Sequence, residues 1–428
     1  MPGALAVDVA TGPLDAVVAV PGSKSLTNRA LVCAALADGQ SELVGVPDGD
    51  DTIAMVECVR RLGIAVDVEA DRVTVGGRGG AIESTGDVLD AGLAGTTSRF
   101  VTALAALAGQ PVRVDGGAPL LARPMGPLHE ALAALGVRVE PGGRPGHLPV
   151  TVIGPPSSSG PVRLRGDVSS QFVTALMLVG PMLPGGLVVE LSSNLVSVRY
   201  VDMTAAVMAA FGVDAVEVGD RRISVGAQPY RATSYAVEPD ASSAGYALAM
   251  AAVAGGRVRV PGLTLASSQP DVAFVHVLGR MGCEVDGGAD VGVRRDLERP
   301  LRGVDIDMVD CSDAVPTLAA VAATASSPTR IGGVGFIRRK ESDRLGDLAA
   351  ELSKTGADVH VESDGLRIRP VAELHGAPID PHHDHRLAMA MAVLGAVVPG
   401  IEIEDPDVVS KSWPGFWAAR DDMLGLAR

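Results

Sequence analysis

Two hydrophobic patterns alternate along the chain. Six stretches open on a small polar or charged cluster, run into Ala, Leu and Val, and mostly stop at Gly. They are SKSLTNRALVCAALADG from Ser23, AGTTSRFVTALAALAG from Ala94, SSQFVTALMLVGPMLPGG from Ser169, DASSAGYALAMAAVAGG from Asp240, CSDAVPTLAAVAATASS from Cys311 and HDHRLAMAMAVLGAVVPG from His383. Ser, Thr or Asp stand where N-caps belong and good helix formers come next, so each stretch predicts a helix. Alternating runs bounded by Gly or Pro, such as VRVEPGG, LVVELSS, GRVRVPG, CEVDGG and GLRIRPV, predict strands between them. A second helical set, including DTIAMVECVRRLG, YVDMTAAVMAAFGV and DRLGDLAAELSKTGADV, leads into further strand-like runs.

These patterns recur on a period. With Lys24, Gly95, Ser169, Ser242, Asp313 and His385 as equivalent marks, the steps are 71, 74, 73, 71 and 72 residues. A regular period with weak residue identity marks repeated supersecondary units, and this one is too long for a solenoid. It predicts small α/β units of two helices and three or four strands. Six units fall into two sets of three, with a seam near QPYRATSYAVEPD, and two lobes flanking a cleft are the simplest assembly. A length of 428 residues also exceeds one ordinary core.

Composition narrows the picture. Aromatics are 3%, so the core is built from Val, Leu, Ala and Met. A net charge of −15 argues against nucleic acid, whose binders carry a basic face. No leader-like start and no unbroken membrane-length apolar run are read, so a cytoplasmic protein is expected. Cys33, Cys58, Cys283 and Cys311 have no CxxC spacing and read as small buried hydrophobes.

The helix starts carry the candidate chemistry. A helix N-terminus attracts anions, yet Lys24 and Arg386 place cations there, which disfavours the helix unless an anion sits beside them. Lys24 is one of only four lysines, with Lys340, Lys354 and Lys411. Lys340 lies in IRRKESDRL, Lys411 in VVSKSWPGFW, and Arg123 in the Pro/Gly loop PLLARPMGPL. Such a set suits a substrate with more than one phosphate or carboxylate. Gly22-Ser23-Lys24-Ser25 lacks the upstream glycine of a P-loop, and His382, His383 and His385 fit no common metal-binding helix, so neither nucleotide nor metal is expected.

With those residues assembled, the chain resembles the 5-enolpyruvylshikimate-3-phosphate synthase family end to end. The resemblance rests on PGSKSLTNRAL, LAGTTSR, LARPMGPL, SSQF, SVRY, EPDASSAGY, RRKESDR, DHRLAMA and SKSWPGFW, in family order. It implies an α/β, two-lobed enolpyruvyl-transferase fold of six βαβαββ repeats, three per lobe. Residues 1–20 would join 239–428 in one lobe, and 21–238 would form the other. The implied reaction transfers the enolpyruvyl group of phosphoenolpyruvate to the 5-hydroxyl of shikimate 3-phosphate by addition and elimination of phosphate, without a cofactor, in a monomer. The product feeds chorismate and aromatic amino-acid biosynthesis.

Residue by residue, the resemblance assigns Lys24, Ser25, Arg29, Ser169, Ser170, Gln171, Ser197, Tyr200, Asp313 and Lys340 to shikimate 3-phosphate. It assigns Lys24, Gly95, Arg123, Gln171, Arg344, Arg386 and Lys411 to phosphoenolpyruvate. Asp313 matches the proton acceptor, Lys24 and Glu341 are the alternative proton donors, and His385 is a further near-site group. Retention of Gly95 implies that glyphosate binds. Leu93, Phe100 and Phe336 depart from the family pattern, which commonly has Asn, Pro and Asn there. Two alternatives are a UDP-N-acetylglucosamine 1-carboxyvinyltransferase and a non-catalytic anion-binding protein. The first family carries a reactive cysteine where this chain has Ala118. The second leaves the paired carboxylates Asp313 and Glu341 unexplained.

Overall fold

The six polar-to-apolar stretches are helices because nearly every side chain after the cap is apolar or small. A helix apolar all round must be buried. Lys24–Leu36 is buried from Leu26 onward, and Ala241–Ala254 along almost its whole length. Side-chain caps fix several starts: Ser23 accepts from the Leu26 amide, Asp240 from Ser243 and Asp384 from Arg386. The computed structural model describes residues 3–426. The chain divides into two compact units, one Gly22–Val237 and the other running to Pro21 and resuming at Glu238.

Within Gly22–Val237 there are three four-stranded sheets of one design. Each has a parallel pair extended by two antiparallel strands. In the first, Asp38–Val44 pairs parallel with Ser234–Ala236 and antiparallel with Arg72–Arg78, which in turn pairs with Ala65–Glu69. Leu89–Asp90, Val112–Asp115, Val150–Ile153 and Arg138–Pro141 form the second. Val162–Leu164, Leu187–Leu191, Arg222–Val225 and Val216–Val218 form the third. Helices Lys24–Leu36, Gly95–Ala105 and Ser170–Val179 pack on one another in the buried core of this unit.

The other unit repeats the design. Gly256–Val260 pairs parallel with Leu14–Val17, and Thr329–Gly332 pairs parallel with Asp305–Asp307. Its third sheet has three strands, with Ile401–Ile403 between Pro378–Ile379 and Leu5–Val7. Gly256 adopts φ 87, and a Cβ there would fall 2.0 Å from the Leu14 carbonyl oxygen, so only glycine lets the two strands start together. Helices Ala241–Ala254, Val315–Ala323 and His385–Leu394 pack together at its core. An aromatic cluster lies here, with Trp413, Trp417 and Tyr246 edge-on around Phe416.

Two local features differ from the pattern reading. The stretch read as a seam contains the strand Ser234–Ala236, too short for alternation to reveal. The helix marked at Asp313 begins as a 3-10 turn, Ser312–Ala314, and becomes α-helical at Val315. Pro316 suits the first turn of that helix but would disrupt its interior, so the α segment starts beside it. All four cysteines are buried and free.

Candidate active site

In the Gly22–Val237 unit, the helix starts at Lys24, Gly95 and Ser170 are stitched together by side chains. Asn28 Nδ2 donates to Thr97 Oγ1 at 3.4 Å, and Gln171 Nε2 donates to Thr96 Oγ1 at 3.2 Å. Lys24 is the first helical residue, where a cation opposes the helix dipole. The compensating anion is Asp51, whose Oδ2 lies 2.8 Å from Lys24 Nζ. Asp51 lies in the first turn of the next helix, Asp50–Arg61, and was not among the sequence candidates. An acidic first turn is ordinary helix chemistry, so nothing in the sequence distinguished it.

Arg29 crosses to the helix Val198–Ala210. Its Nε donates to Thr204 Oγ1 at 2.9 Å, and its two terminal nitrogens to the Ser25 and Tyr200 carbonyls at 2.8 and 3.3 Å. Burial lowers its pKa from the ordinary value to about 10, the mark of a cation taken out of water. Phe100, where the family pattern has Pro, places its ring 5.5 Å from this guanidinium. Ser197 precedes the helix in the left-handed region, φ 55, an uncommon state for serine, and is buried there. Ser169 caps its helix by accepting from the Gln171 amide, leaving Ser170 buried at the first turn.

Gly95 and Arg123 are in contact. A Cβ at position 95 would lie 2.5 Å from one terminal nitrogen of Arg123 and 2.7 Å from the other. The glycine is therefore a seat for a guanidinium. Gly95→Ala should displace Arg123 by roughly an ångström, and such misplacement costs up to about 100-fold in rate. Steady-state kinetics should show KM for the donor rising at least about tenfold, on the order expected from that displacement, with the acceptor KM nearly unchanged.

In the other unit, a carboxylate is clasped by two buried arginines. Asp313 Oδ1 accepts from Arg344 at 2.9 Å and Oδ2 from Arg386 at 2.7 Å. Burial pushes this carboxyl up, but Arg386, Lys340 and Arg344 outweigh it and hold Asp313 well below the usual carboxylate range. Arg344 also binds Glu341 Oε2 at 2.6 Å and Asp384 Oδ2 at 2.6 Å. Burial alone would lower the Arg344 pKa, yet Asp384, Glu341 and Asp313 drive it above the ordinary arginine value. Asp384 is fully buried and is the hub of this network: it also caps Arg386 and accepts from Ser342 Oγ at 3.2 Å. Sequence reading placed it in a helix-start cluster without giving it a role.

His385 is buried beside Asp384, Nδ1 to Oδ1 3.6 Å. Lys411 is buried at the end of the 3-10 turn Pro406–Lys411, which packs on the His385 helix. Lys340 is half-buried with its ammonium 5.8 Å from the Phe336 ring, so the aromatic departure from the family pattern faces a predicted site lysine. Among the described residues no group of three His, Cys, Asp or Glu is placed to hold a metal ion.

The depressed Asp313 pKa makes these contacts sensitive to acid. The unfolded carboxyl takes up protons first as pH falls through about 3.9. Stability from the Asp313 contacts is thus complete above that range and drains away below it. Melting curves of wild type and Asp313→Asn should differ most above about pH 5, and the difference should begin to shrink only as pH falls below about 4.

Solved structures share the fold. The chain shares its fold with the enolpyruvyl transferase NikO from Streptomyces tendae, at TM-score 0.77 and 20% identity, with 99% and 98% of the two chains covered. EPSP synthase from Acinetobacter baumannii matches at TM-score 0.82 and 25% identity over 98% of this chain and 97% of that one. Residues 9–419 match the family model of EPSP synthase (3-phosphoshikimate 1-carboxyvinyltransferase). The 3-phosphoshikimate 1-carboxyvinyltransferase of Trichormus variabilis is 41% identical over 98% of this chain and 99% of its own. Its Methanoculleus marisnigri namesake is 43% identical over 96% and 97%. The chain belongs to the EPSP synthase family. No helix among the described residues is long and apolar enough to cross a membrane.

Proposed function

We propose that the protein transfers the enolpyruvyl group of phosphoenolpyruvate to the 5-hydroxyl of shikimate 3-phosphate. The observation that carries this reading is Asp313, a carboxylate held by two buried arginines at the position the sequence resemblance gives to the proton acceptor. Asp313 takes the proton from the attacking hydroxyl, whose oxygen bonds to C2 of phosphoenolpyruvate. A proton delivered to the C3 methylene completes the addition and gives a tetrahedral intermediate with a methyl group. Loss of a methyl proton together with the C2–O bond to phosphate restores the double bond and frees inorganic phosphate. Addition needs a base at the hydroxyl oxygen and an acid at C3, and elimination needs a base at C3.

Lys24 is assigned to proton delivery, since an ammonium at the helix start is itself a proton donor; Glu341, bound to Arg344, is the alternative. Arginines suit the donor's carboxylate and phosphate because their planar nitrogens match two oxygens at once. Arg123, seated on Gly95, together with Arg344 and Arg386, supplies these contacts, and Lys411 and Gln171 complete the donor set. Ser25, Arg29, Ser169, Ser170, Gln171, Ser197, Tyr200 and Lys340 hold the acceptor. Arg29 supports this assignment, because a buried guanidinium bonded only to neutral oxygens in the contacts described gains most from a charged ligand. The protein acts as a cytoplasmic monomer, and its net charge of −15 disfavours nucleic acid.

Phosphate release from phosphoenolpyruvate, measured with each acceptor, tests the reading. Release with shikimate 3-phosphate and none with UDP-N-acetylglucosamine is expected. Turnover with the nucleotide sugar alone would overturn it, and binding without turnover would point to a non-catalytic anion binder.

A further inference from the structure

The turn PHHDHR, conspicuous for its histidines, has a structural role separate from metal binding. His382 and His383 occupy the left-handed backbone region in succession, with φ 51 and 56. Non-glycine residues avoid that region, so two in a row need outside support. The support comes from Glu351, 2% exposed on the helix Gly346–Lys354. Its Oε1 meets His382 Nε2 at 2.9 Å, and its Oε2 accepts from the Asp380 amide at 3.1 Å and from Lys354 Nζ at 2.7 Å. Within the turn, the His382 amide donates to Asp380 Oδ1 at 2.7 Å.

The turn reaches the candidate active site through the next residue along the chain. The Asp384 amide donates to the Pro381 carbonyl at 2.8 Å, so the turn sets where Asp384 sits. Asp384 in turn holds Arg344 and caps the helix bearing Arg386. We propose that Glu351 is a positioning residue, clamping the strained 380–383 turn through His382 and thereby fixing Arg344 and Arg386 for the donor substrate. This rests on the assignment of those arginines to phosphoenolpyruvate.

The clamp also carries a pH dependence that a plain packing role would lack. His382 has a carboxylate near each ring nitrogen, Glu351 at 2.9 Å and Asp380 at 3.7 Å. The charged groups facing it are Glu351 and Asp347 from the neighbouring helix and Asp380 from its own turn, and Lys354 is bound to the other Glu351 oxygen. Burial disfavours the imidazolium, but Glu351, Asp380 and Asp347 outweigh it and raise its pKa above the ordinary value. The charged clamp is therefore complete below the usual imidazole range and weakens as pH rises through the raised value.

Steady-state kinetics on the full chain test this. Glu351→Gln should raise the KM for phosphoenolpyruvate about tenfold, in line with a displaced carboxylate clamp, while leaving the KM for shikimate 3-phosphate within about twofold. His382→Val, which resists the left-handed region, should behave alike. His382→Asn, which tolerates it and keeps a donor, should restore near-normal KM but flatten its rise at alkaline pH. Folded Glu351→Gln and His382→Val variants with normal KM would overturn the proposal, as would equal losses for both substrates. Should Glu351→Gln not fold, an alkaline limb persisting in His382→Asn overturns it. A wild type inactive with shikimate 3-phosphate would instead sink the proposed function, and phosphoenolpyruvate binding by calorimetry would still read the clamp.

Discussion

Asp313→Asn is expected to lower kcat by about 10³-fold, the scale of losing a positioned general base, while the protein stays folded. Asparagine fills the same volume and keeps an oxygen for Arg344 or Arg386, so the geometry survives. Arg344 retains Glu341 and Asp384, and is not left as a bare buried cation. The amide, however, cannot accept the hydroxyl proton. The expected signature is therefore a collapse of kcat with KM values changed only a few-fold, about what loss of one charge contact implies. Isotope-labelled phosphoenolpyruvate sharpens the result: exchange of C3 protons with solvent should vanish with turnover. A variant retaining about a tenth of wild-type kcat would remove Asp313 from the role of base.

Lys24→Met should be nearly as damaging, by about 10²- to 10⁴-fold in kcat/KM, because it removes the assigned proton donor and a cation for the donor substrate together. Methionine has a similar length and good helix propensity, so the Lys24–Leu36 helix persists. Its start even loses the unfavourable dipole contact. Set against this, the nearly buried Asp51 loses its 2.8 Å ion pair, and a modest fall in melting temperature is expected. Calorimetry should show shikimate 3-phosphate still binding, since Ser25 and Arg29 remain, with phosphoenolpyruvate binding weakened. Turnover surviving in Lys24→Met would transfer proton delivery to Glu341.

Much of the fold was legible because caps and apolar helices leave local marks. Ser23, Asp240 and Asp384 all cap as their positions imply. The family strings named the residues that meet at Asp313. What stayed hidden were the partners that complete each charge. Asp51 looked like an ordinary acidic first turn, and Glu351 like one acid on an amphipathic helix. Only tertiary packing shows that both are buried beneath cations, because nothing local separates a solvated carboxylate from a clamped one. Ser234–Ala236 escaped for another reason: a three-residue edge strand is specified by its neighbour Asp38–Val44 rather than by its own alternation.

The strand pairings also impose an order of completion on a chain made from its N-terminus. Leu14–Val17 has no sheet to join until Gly256–Val260 has been synthesised, and Leu5–Val7 waits for Ile401–Ile403. Residues 22–237 contain every strand of their own three sheets, and can form them before the ribosome reaches the middle of the second unit. These two early strands must therefore outlast the folding of half the protein without a partner, and Leu5–Val7 waits almost to the end. The short lengths of these two strands, three and four residues, keep that wait from becoming an invitation to mispair.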